Sequence, residues 1–400
     1  MSGDFKTPSQ VTFAPLDPPS RLLMGPGPSL TPPRVLGALA APTIGHLDPR
    51  FLELMDEIQV MLRRVFGTAN ALTFPVSGTG SAGMEACMAN VLEAGDRVVV
   101  AKNGIFGGRM ADIAERLGCS VALVESDFGE GIDPEAVATA LAASDTKLLA
   151  FVHAETSTGV LQEVAPLAKL AREAGALCLV DCVTSLGGIP VELDAWGVDL
   201  AYAGTQKCLS CPPGLAPVSF SERAVEVLKT RRSKVASWYL DASMLLNYWG
   251  GKRAYHHTAP INMLYALRES LIVVLEEGLS AVHGRHMKSH RALVAGLEAM
   301  GLSLPVAPAL RMPQLNVVTI PEGVEDAAVR GALLRDYDIE IGGGLGPLAG
   351  KVWRIGLMGH TARAKNVSAL LAALETTLGG LGANIQRGAA LPAAHAALAD

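Results

Sequence analysis

Lys207 stands in the segment Ala203-Gly204-Thr205-Gln206-Lys207-Cys208-Leu209-Ser210-Cys211-Pro212-Pro213-Gly214, after a short polar turn and before a Pro-Pro-Gly corner. Twenty-six positions upstream, the apolar run Ala176-Leu177-Cys178-Leu179-Val180 ends in Asp181. A buried strand closed by one acid, followed by a second segment closed by one lysine, meets the needs of pyridoxal phosphate. The lysine forms a Schiff base, and the acid keeps the pyridine nitrogen protonated so that the ring withdraws electrons. Taken alone, a lysine after a turn is more often a solvated surface residue. The pairing with Asp181 and the surrounding motifs give it weight.

Four further constellations carry chemistry. Ser77-Gly78-Thr79-Gly80-Ser81-Ala82-Gly83 precedes a helix. Its glycines match a dinucleotide fingerprint by the letter, but that fingerprint wants an acid closing the next strand, and Asp96 opens it instead. The better reading is a single phosphate held by backbone N–H groups at a helix N-terminus; the plainer one is a capped helix start. In Asn103-Gly104-Ile105-Phe106-Gly107, Phe106 follows a strand, either to stack on a flat cofactor or to fill the core. His153-Ala154-Glu155-Thr156-Ser157-Thr158-Gly159 offers a hydroxyl to the cofactor's phenolic oxygen or to Asp181, or is simply a polar turn. Arg354, inside the apolar strand Trp353-Arg354-Ile355-Gly356, needs an anion. A substrate carboxylate would supply one, and so would an internal salt bridge.

Two patterns carry less. Cys208-Leu209-Ser210-Cys211 is a lone C-x-x-C overlapping the lysine loop, with no second pair for zinc. His256, His257, His283, His286 and His290 form no convincing metal set and read as surface or structural residues. We expect no metal.

The elements that position these residues alternate. Helical periods at 51–66, 84–92, 108–117, 132–143 and 166–174 intersperse with apolar strands at 97–101, 121–125, 147–153 and 177–180. Such alternation predicts a mainly parallel sheet flanked by helices, with ligands at the carboxyl ends of the strands. Beyond about residue 280 the pattern shifts to a helix, mixed strands and a helix over 364–378, which predicts a smaller C-terminal α+β domain. The Ala-rich tail from Gly379 reads as helical. The expected organisation is an N-terminal arm over 1–22, a large domain over 23–280 and a small domain over 281–400.

Composition fits two domains: 400 residues, 50% hydrophobic and 18% charged. A net charge of −6 offers no basic surface to nucleic acid or anionic lipid. No apolar run approaches the ~20 residues of a membrane span. The six cysteines, none beyond Cys211, do not form a disulfide framework. With no apolar signal core before residue 20 and no Ser-Lys-Leu ending, a cytoplasmic protein is expected.

These residues resemble a known family, the class V aminotransferases of fold type I, and among them the alanine–glyoxylate and serine–pyruvate enzymes and their ureidoglycine–glyoxylate relatives. The resemblance runs from Met24-Gly25-Pro26-Gly27-Pro28 to Arg354-Ile355-Gly356-Leu357-Met358-Gly359, through Ser77-Gly78-Thr79-Gly80, Glu155-Thr156-Ser157-Thr158-Gly159-Val160, Asp181-Cys182-Val183-Thr184-Ser185-Leu186-Gly187-Gly188, Gly204-Thr205-Gln206-Lys207-Cys208, Tyr255-His256-His257-Thr258 and Gly350-Lys351-Val352-Trp353-Arg354-Ile355-Gly356. It implies that Lys207 is the Schiff-base lysine and proton shuttle, that Asp181 pairs with the pyridinium nitrogen and that Val183 covers a ring face. Phe106 would stack on the ring, where the animal alanine–glyoxylate enzymes usually have tryptophan, and Thr156 would bond its hydroxyl. Thr79, Gly80, Ser81 and Gln206 would hold the phosphate, with Tyr255 and Thr258 reaching it from the partner subunit of an obligatory homodimer. Arg354 would take the substrate carboxylate, with Gly27, His46 and Tyr255 also at the substrate. The ureidoglycine enzymes tend to place asparagine where Tyr255 stands and glutamine where His46 stands. The resemblance therefore implies alanine or serine as donor and glyoxylate or pyruvate as acceptor, with ureidoglycine–glyoxylate transamination as the alternative. A desulfurase would need a C-terminal cysteine, which is absent. A nucleotide-binding protein using the Gly78-x-Gly80 loop would lack the yellow cofactor.

Overall fold

The computed structural model describes residues 14–250 and 252–399; most of the expected N-terminal arm lies outside the described residues. The first long helix, α1 (Pro49–Phe66), shows how local chemistry sets an element. Asp48 caps it by accepting the Arg50 N–H at 2.8 Å, and Pro49 takes the first position, where its missing donor costs nothing. Gly67 closes it in the left-handed region. Phe51, Met55, Ile58 and Leu62 form the buried stripe.

Seven strands form the central sheet: β1 (Leu72–Ser77), β2 (Arg97–Lys102), β3 (Ser120–Glu125), β4 (Leu148–Val152), β5 (Leu177–Asp181), β6 (Leu200–Tyr202) and β7 (Leu215–Phe220). Their order is β1-β7-β6-β5-β4-β2-β3. The pairs among β2 to β6 are parallel, and only β7 runs against its neighbours β1 and β6. Strands β4 and β5 are buried along their whole length, which is why they read as continuous apolar runs rather than alternating ones. Helices α2 (Gly80–Val91), α3 (Ile105–Arg116), α4 (Pro134–Ala142) and α5 (Ala165–Glu173) flank the sheet.

All five helices start one to four residues from the expected positions, and at two of them the hydrogen bonds show why. α4 begins at Pro134 rather than 132, because Asp133 accepts the Glu135 N–H at 2.9 Å and caps it there. α3 begins at Ile105 rather than 108. Its opening N–H groups are satisfied from about fifty residues away: Ile105 N–H donates to Ser157 Oγ at 2.9 Å and Phe106 N–H to Glu155 Oε2 at 3.1 Å. Phe106 therefore sits in the first helical turn, over the sheet's carboxyl edge.

Two long helices, α6 (Ile261–Glu277) and α7 (Leu279–Ala299), lead into the C-terminal part. There an antiparallel sheet of β8 (Leu315–Thr319), β9 (Gly342–Gly343) and β10 (Val352–Gly356), in the order β8-β10-β9, packs with α8 (Asp326–Tyr337), α9 (Ala364–Gly380) and α10 (Ala390–Ala399). Trp353, Leu293, Leu371 and Leu374 centre a second core, and Met24 is buried in it. The short strand Leu22–Leu23 pairs with Ile339–Glu340, which ties the start of the described chain to this core. The Ala-rich tail is helical only over Ala390–Ala399, after a non-helical stretch across 381–389, with Ala390 and Ala394 buried. Among the described residues no helix is long and apolar enough to cross a membrane.

Candidate active site

At the carboxyl edge of the central sheet lies a cavity of about 180 Å³, lined by Thr79, Gly80, Ser81, Phe106, Thr156, Asp181, Val183, Gln206 and Lys207 together with Met84, Arg109, Val152, Ala154, Thr184 and Tyr202. The topology explains the convergence. Asp181 ends β5, Thr156 follows β4, Phe106 follows β2, and the lysine turn follows β6. Parallel strands deliver all of these to one edge.

The turn that carries Lys207 is held rigidly. Thr205 Oγ1 donates to the Pro212 carbonyl at 2.8 Å, and Cys211 N–H to the Thr205 carbonyl at 3.0 Å. The Gly25–Pro28 loop closes over the lysine: Ser29 N–H donates to the Gln206 carbonyl at 2.9 Å and Ser29 Oγ to the Lys207 carbonyl at 2.7 Å. Lys207 itself is buried, and its ammonium donates to the Pro26 carbonyl. Burial lowers its pKa to about 8, so near neutral pH a useful fraction is the free amine.

Asp181 is also buried. Val183 N–H donates to Oδ1 at 2.7 Å and the Tyr202 hydroxyl to Oδ2 at 2.6 Å. Burial raises the carboxyl to about 7, against those two hydrogen bonds. A cationic ring nitrogen at this carboxylate would supply the missing countercharge.

The loop before α2 forms an anion cradle. Thr79 precedes the helix without capping it, which leaves its hydroxyl uncommitted. Gly80 permits close approach, because a β-carbon there would come 3.0 Å from Val183. Gln206 lines the same cavity and carries an amide N–H that can donate to an anion. With the first N–H groups of a twelve-residue helix, these groups suit a phosphate. Phe106 presents its ring to the same cavity, and the Arg109 guanidinium lies 4.7 Å from the ring centroid. Taken together, the cradle, the cavity and the Asp181–Lys207 pair fit pyridoxal phosphate.

Arg354 lies in mid-β10, buried, donating from Nε to the Gly343 carbonyl at 2.7 Å and from Nη1 to the Thr156 carbonyl at 3.1 Å. Among the described residues no carboxylate ion-pairs with it, so the internal salt bridge is not formed. Burial lowers its pKa, with Glu155 opposing. Gly27 touches the lysine rather than lining the cavity. His46, Tyr255 and Thr258 lie outside the cavity of a single chain. His46 and Tyr255 pack ring to ring at 5.2 Å, with Tyr255 60% exposed. The Tyr255–Thr258 loop reaches toward the cradle through His257, whose Nε2 lies 3.2 Å from Ser77 Oγ.

Three residues had no functional reading in the sequence. Tyr202 is the register partner of Asp181, a relation that only strand pairing reveals. Glu155 is fully buried, accepts from Ser157 N–H at 2.9 Å and Oγ at 2.6 Å, and anchors α3 beneath Phe106; burial raises its carboxyl. Arg109 stands one helical turn after Phe106, and that spacing could have flagged it. The other patterns are structural. Cys208 and Cys211 are buried, with thiols pushed up to about 12. His286 is buried rather than at the surface; its Nε2 accepts the Gly359 N–H at 2.9 Å. Among the described residues no three His, Cys, Asp or Glu groups cluster as a metal site.

Residues 22–366 match the family described as aminotransferase class V. The (S)-ureidoglycine–glyoxylate transaminase of Bacillus subtilis is 41% identical over 394 residues, 94% of this chain and 95% of that protein. A crystal structure of the ureidoglycine–glyoxylate aminotransferase from Bacillus subtilis superposes with a TM-score of 0.95 at 42% identity, covering 97% of this chain and 100% of the other. That of an alanine–glyoxylate aminotransferase from Nostoc sp. superposes at 0.91 with 52% identity, covering 94% and 99%.

Proposed function

The chain belongs to the class V aminotransferases, pyridoxal-phosphate enzymes, and on that footing we propose that it moves an amino group from alanine or serine to glyoxylate or pyruvate. The observation that carries the site assignment is the gathering of Lys207, Asp181, Phe106, Thr156 and the Thr79–Ser81 loop around one cavity. The 52% identity to a protein named alanine–glyoxylate aminotransferase supports the donor.

Pyridoxal phosphate, when bound, supplies an aldehyde carbon for the amino group and a ring that withdraws electrons from the substrate's α-carbon. The chain's residues do the rest. Thr79, Gly80, Ser81 and Gln206 hold the phosphate by hydrogen bonds, with Tyr255 and Thr258 reaching it from the partner subunit of a homodimer. Phe106 and Val183 would cover the ring, and Thr156 would bond its hydroxyl. Asp181 would accept the ring N–H and keep that nitrogen cationic. Lys207 is the covalent attachment point. With substrate in place, the free Lys207 amine would take the α-proton at Nζ and hand it on as general acid. Arg354 would bind the carboxylate shared by amino acid and 2-oxo acid through Nη2, the guanidinium nitrogen not donating to a carbonyl. Gly27, His46 and Tyr255 shape the substrate end. The cytoplasm is the compartment this reading implies.

The second reading is ureidoglycine–glyoxylate transamination, favoured by the TM-score of 0.95 to an enzyme of that name. Half-reactions separate the two. The purified enzyme is mixed with alanine, serine or ureidoglycine, and bleaching of the yellow absorbance is timed. Faster bleaching by alanine or serine supports the first reading; faster bleaching by ureidoglycine replaces it with the second.

A further inference from the structure

We propose that Tyr202 is a positioning residue for the reaction, its phenol holding the Asp181 carboxylate ionised and oriented toward the cofactor's ring nitrogen. This rests on the role assigned to Asp181 above. Tyr202 ends β6 and is the register partner of Asp181 across the β5–β6 pair, so the two side chains emerge together at the sheet's carboxyl edge. The phenol donates to Oδ2 at 2.6 Å, while Val183 N–H occupies Oδ1 at 2.7 Å. Each carboxylate oxygen thus has one fixed donor, which sets the plane of the group and leaves lone pairs free toward the cavity.

Both partners are enclosed. Tyr202 has no exposed surface and Asp181 only 3%. Asp181 Oδ2 is the one acceptor hydrogen-bonded to the phenol among the described residues. Burial makes the phenol a very weak acid, so it keeps its proton and acts as donor. Burial also drives Asp181 toward its neutral form, and the Tyr202 hydrogen bond is foremost among the interactions opposing that drift. A protonated Asp181 could not accept the ring N–H and hold the nitrogen cationic. The tyrosine is braced as well: a β-carbon at Gly83 of α2 would come 3.0 Å from Tyr202 Cβ, so the helix heading the phosphate cradle rests directly on it.

The test is Tyr202→Phe, which keeps the ring and removes the hydroxyl. In the apoprotein, infrared difference titration reads the Asp181 carboxyl, assigned by its loss in Asp181→Asn. The midpoint should move up by about one pH unit, the size of one lost hydrogen bond to a charged group. In the holoenzyme kcat at neutral pH should fall by about 10-fold or more with KM little changed. Its pH profile should shift with the carboxyl, and Tyr202→Phe should add little in the Asp181→Asn background. An unmoved midpoint overturns the proposal, and so does a moved midpoint with unchanged kcat and pH profile. A moved midpoint with normal turnover in Asp181→Asn instead overturns the role of Asp181, and the catalytic half of this proposal with it.

Discussion

Gly27 lies so close to Lys207 that a β-carbon on it would come 2.7 Å from the ammonium nitrogen, and its φ of +108° disfavours any side chain. Gly27→Ala should push the lysine out of line and strain the loop by about 1–2 kcal/mol. Covalent capture of pyridoxal phosphate by the apoprotein, followed by absorbance, should slow by about 10-fold or more. Capture at the normal rate would mean that the loop yields without moving the lysine.

The lysine pKa of about 8 predicts how that capture depends on pH. Only the free amine attacks the aldehyde, so the rate should climb as pH rises through about 8 and level off above it. Lys207→Ala should leave a folded protein that borohydride cannot link to the cofactor, with transamination reduced by several orders of magnitude. Near-normal turnover would place the reactive amine elsewhere.

Asp181→Asn should lower kcat far more than it raises KM, because the cationic ring matters most in the transition state. The apoprotein carries a second signature. The folded carboxyl titrates near 7 instead of its ordinary 3.8, so the folded state binds the proton more tightly than the unfolded state. Wild-type apoprotein should therefore lose stability as pH rises from about 4 to about 7, by up to about 4 kcal/mol from this group. Denaturant titrations across that range should show the slope, and Asp181→Asn should remove this group's share of it.

Arg354→Lys keeps the charge but loses the planar fork. KM should rise by about 10–100-fold for amino acid and 2-oxo acid alike, with cofactor occupancy intact. An effect on one substrate only would move the carboxylate site away from β10.

His46 and Tyr255 pack ring to ring, and the proposed function puts substrate choice on this pair. Combining Tyr255→Asn with His46→Gln gives an amide-bearing donor new hydrogen-bond partners. The ratio of kcat/KM values should shift toward ureidoglycine by about 1–3 kcal/mol in a competition assay against alanine. An unchanged ratio would take specificity away from this pair.

The sequence by itself determined four parallel strands of the sheet, the one ending in Asp181 among them, and the turn bearing Lys207, because each is written in contiguous residues: apolar runs for β4 and β5, and glycine and proline at the corners; β1, β6 and β7 were not read from it. It also marked Phe106, Thr156 and the Thr79–Ser81 loop, each of which follows a strand and so falls at one edge. Tertiary structure alone decided what pairs across the chain. Tyr202 reaches Asp181 because β6 lies beside β5 in a particular register. Glu155 and Ser157 set the start of α3, and with it the place of Phe106, through hydrogen bonds that no local signal announces. Arg354 could satisfy itself in two ways on paper, and only the packing of β9, β10 and the Thr156 loop gave its guanidinium two carbonyls and no carboxylate. Local pattern encodes burial and turns; a hydrogen bond between distant residues exists only once the sheet has aligned them.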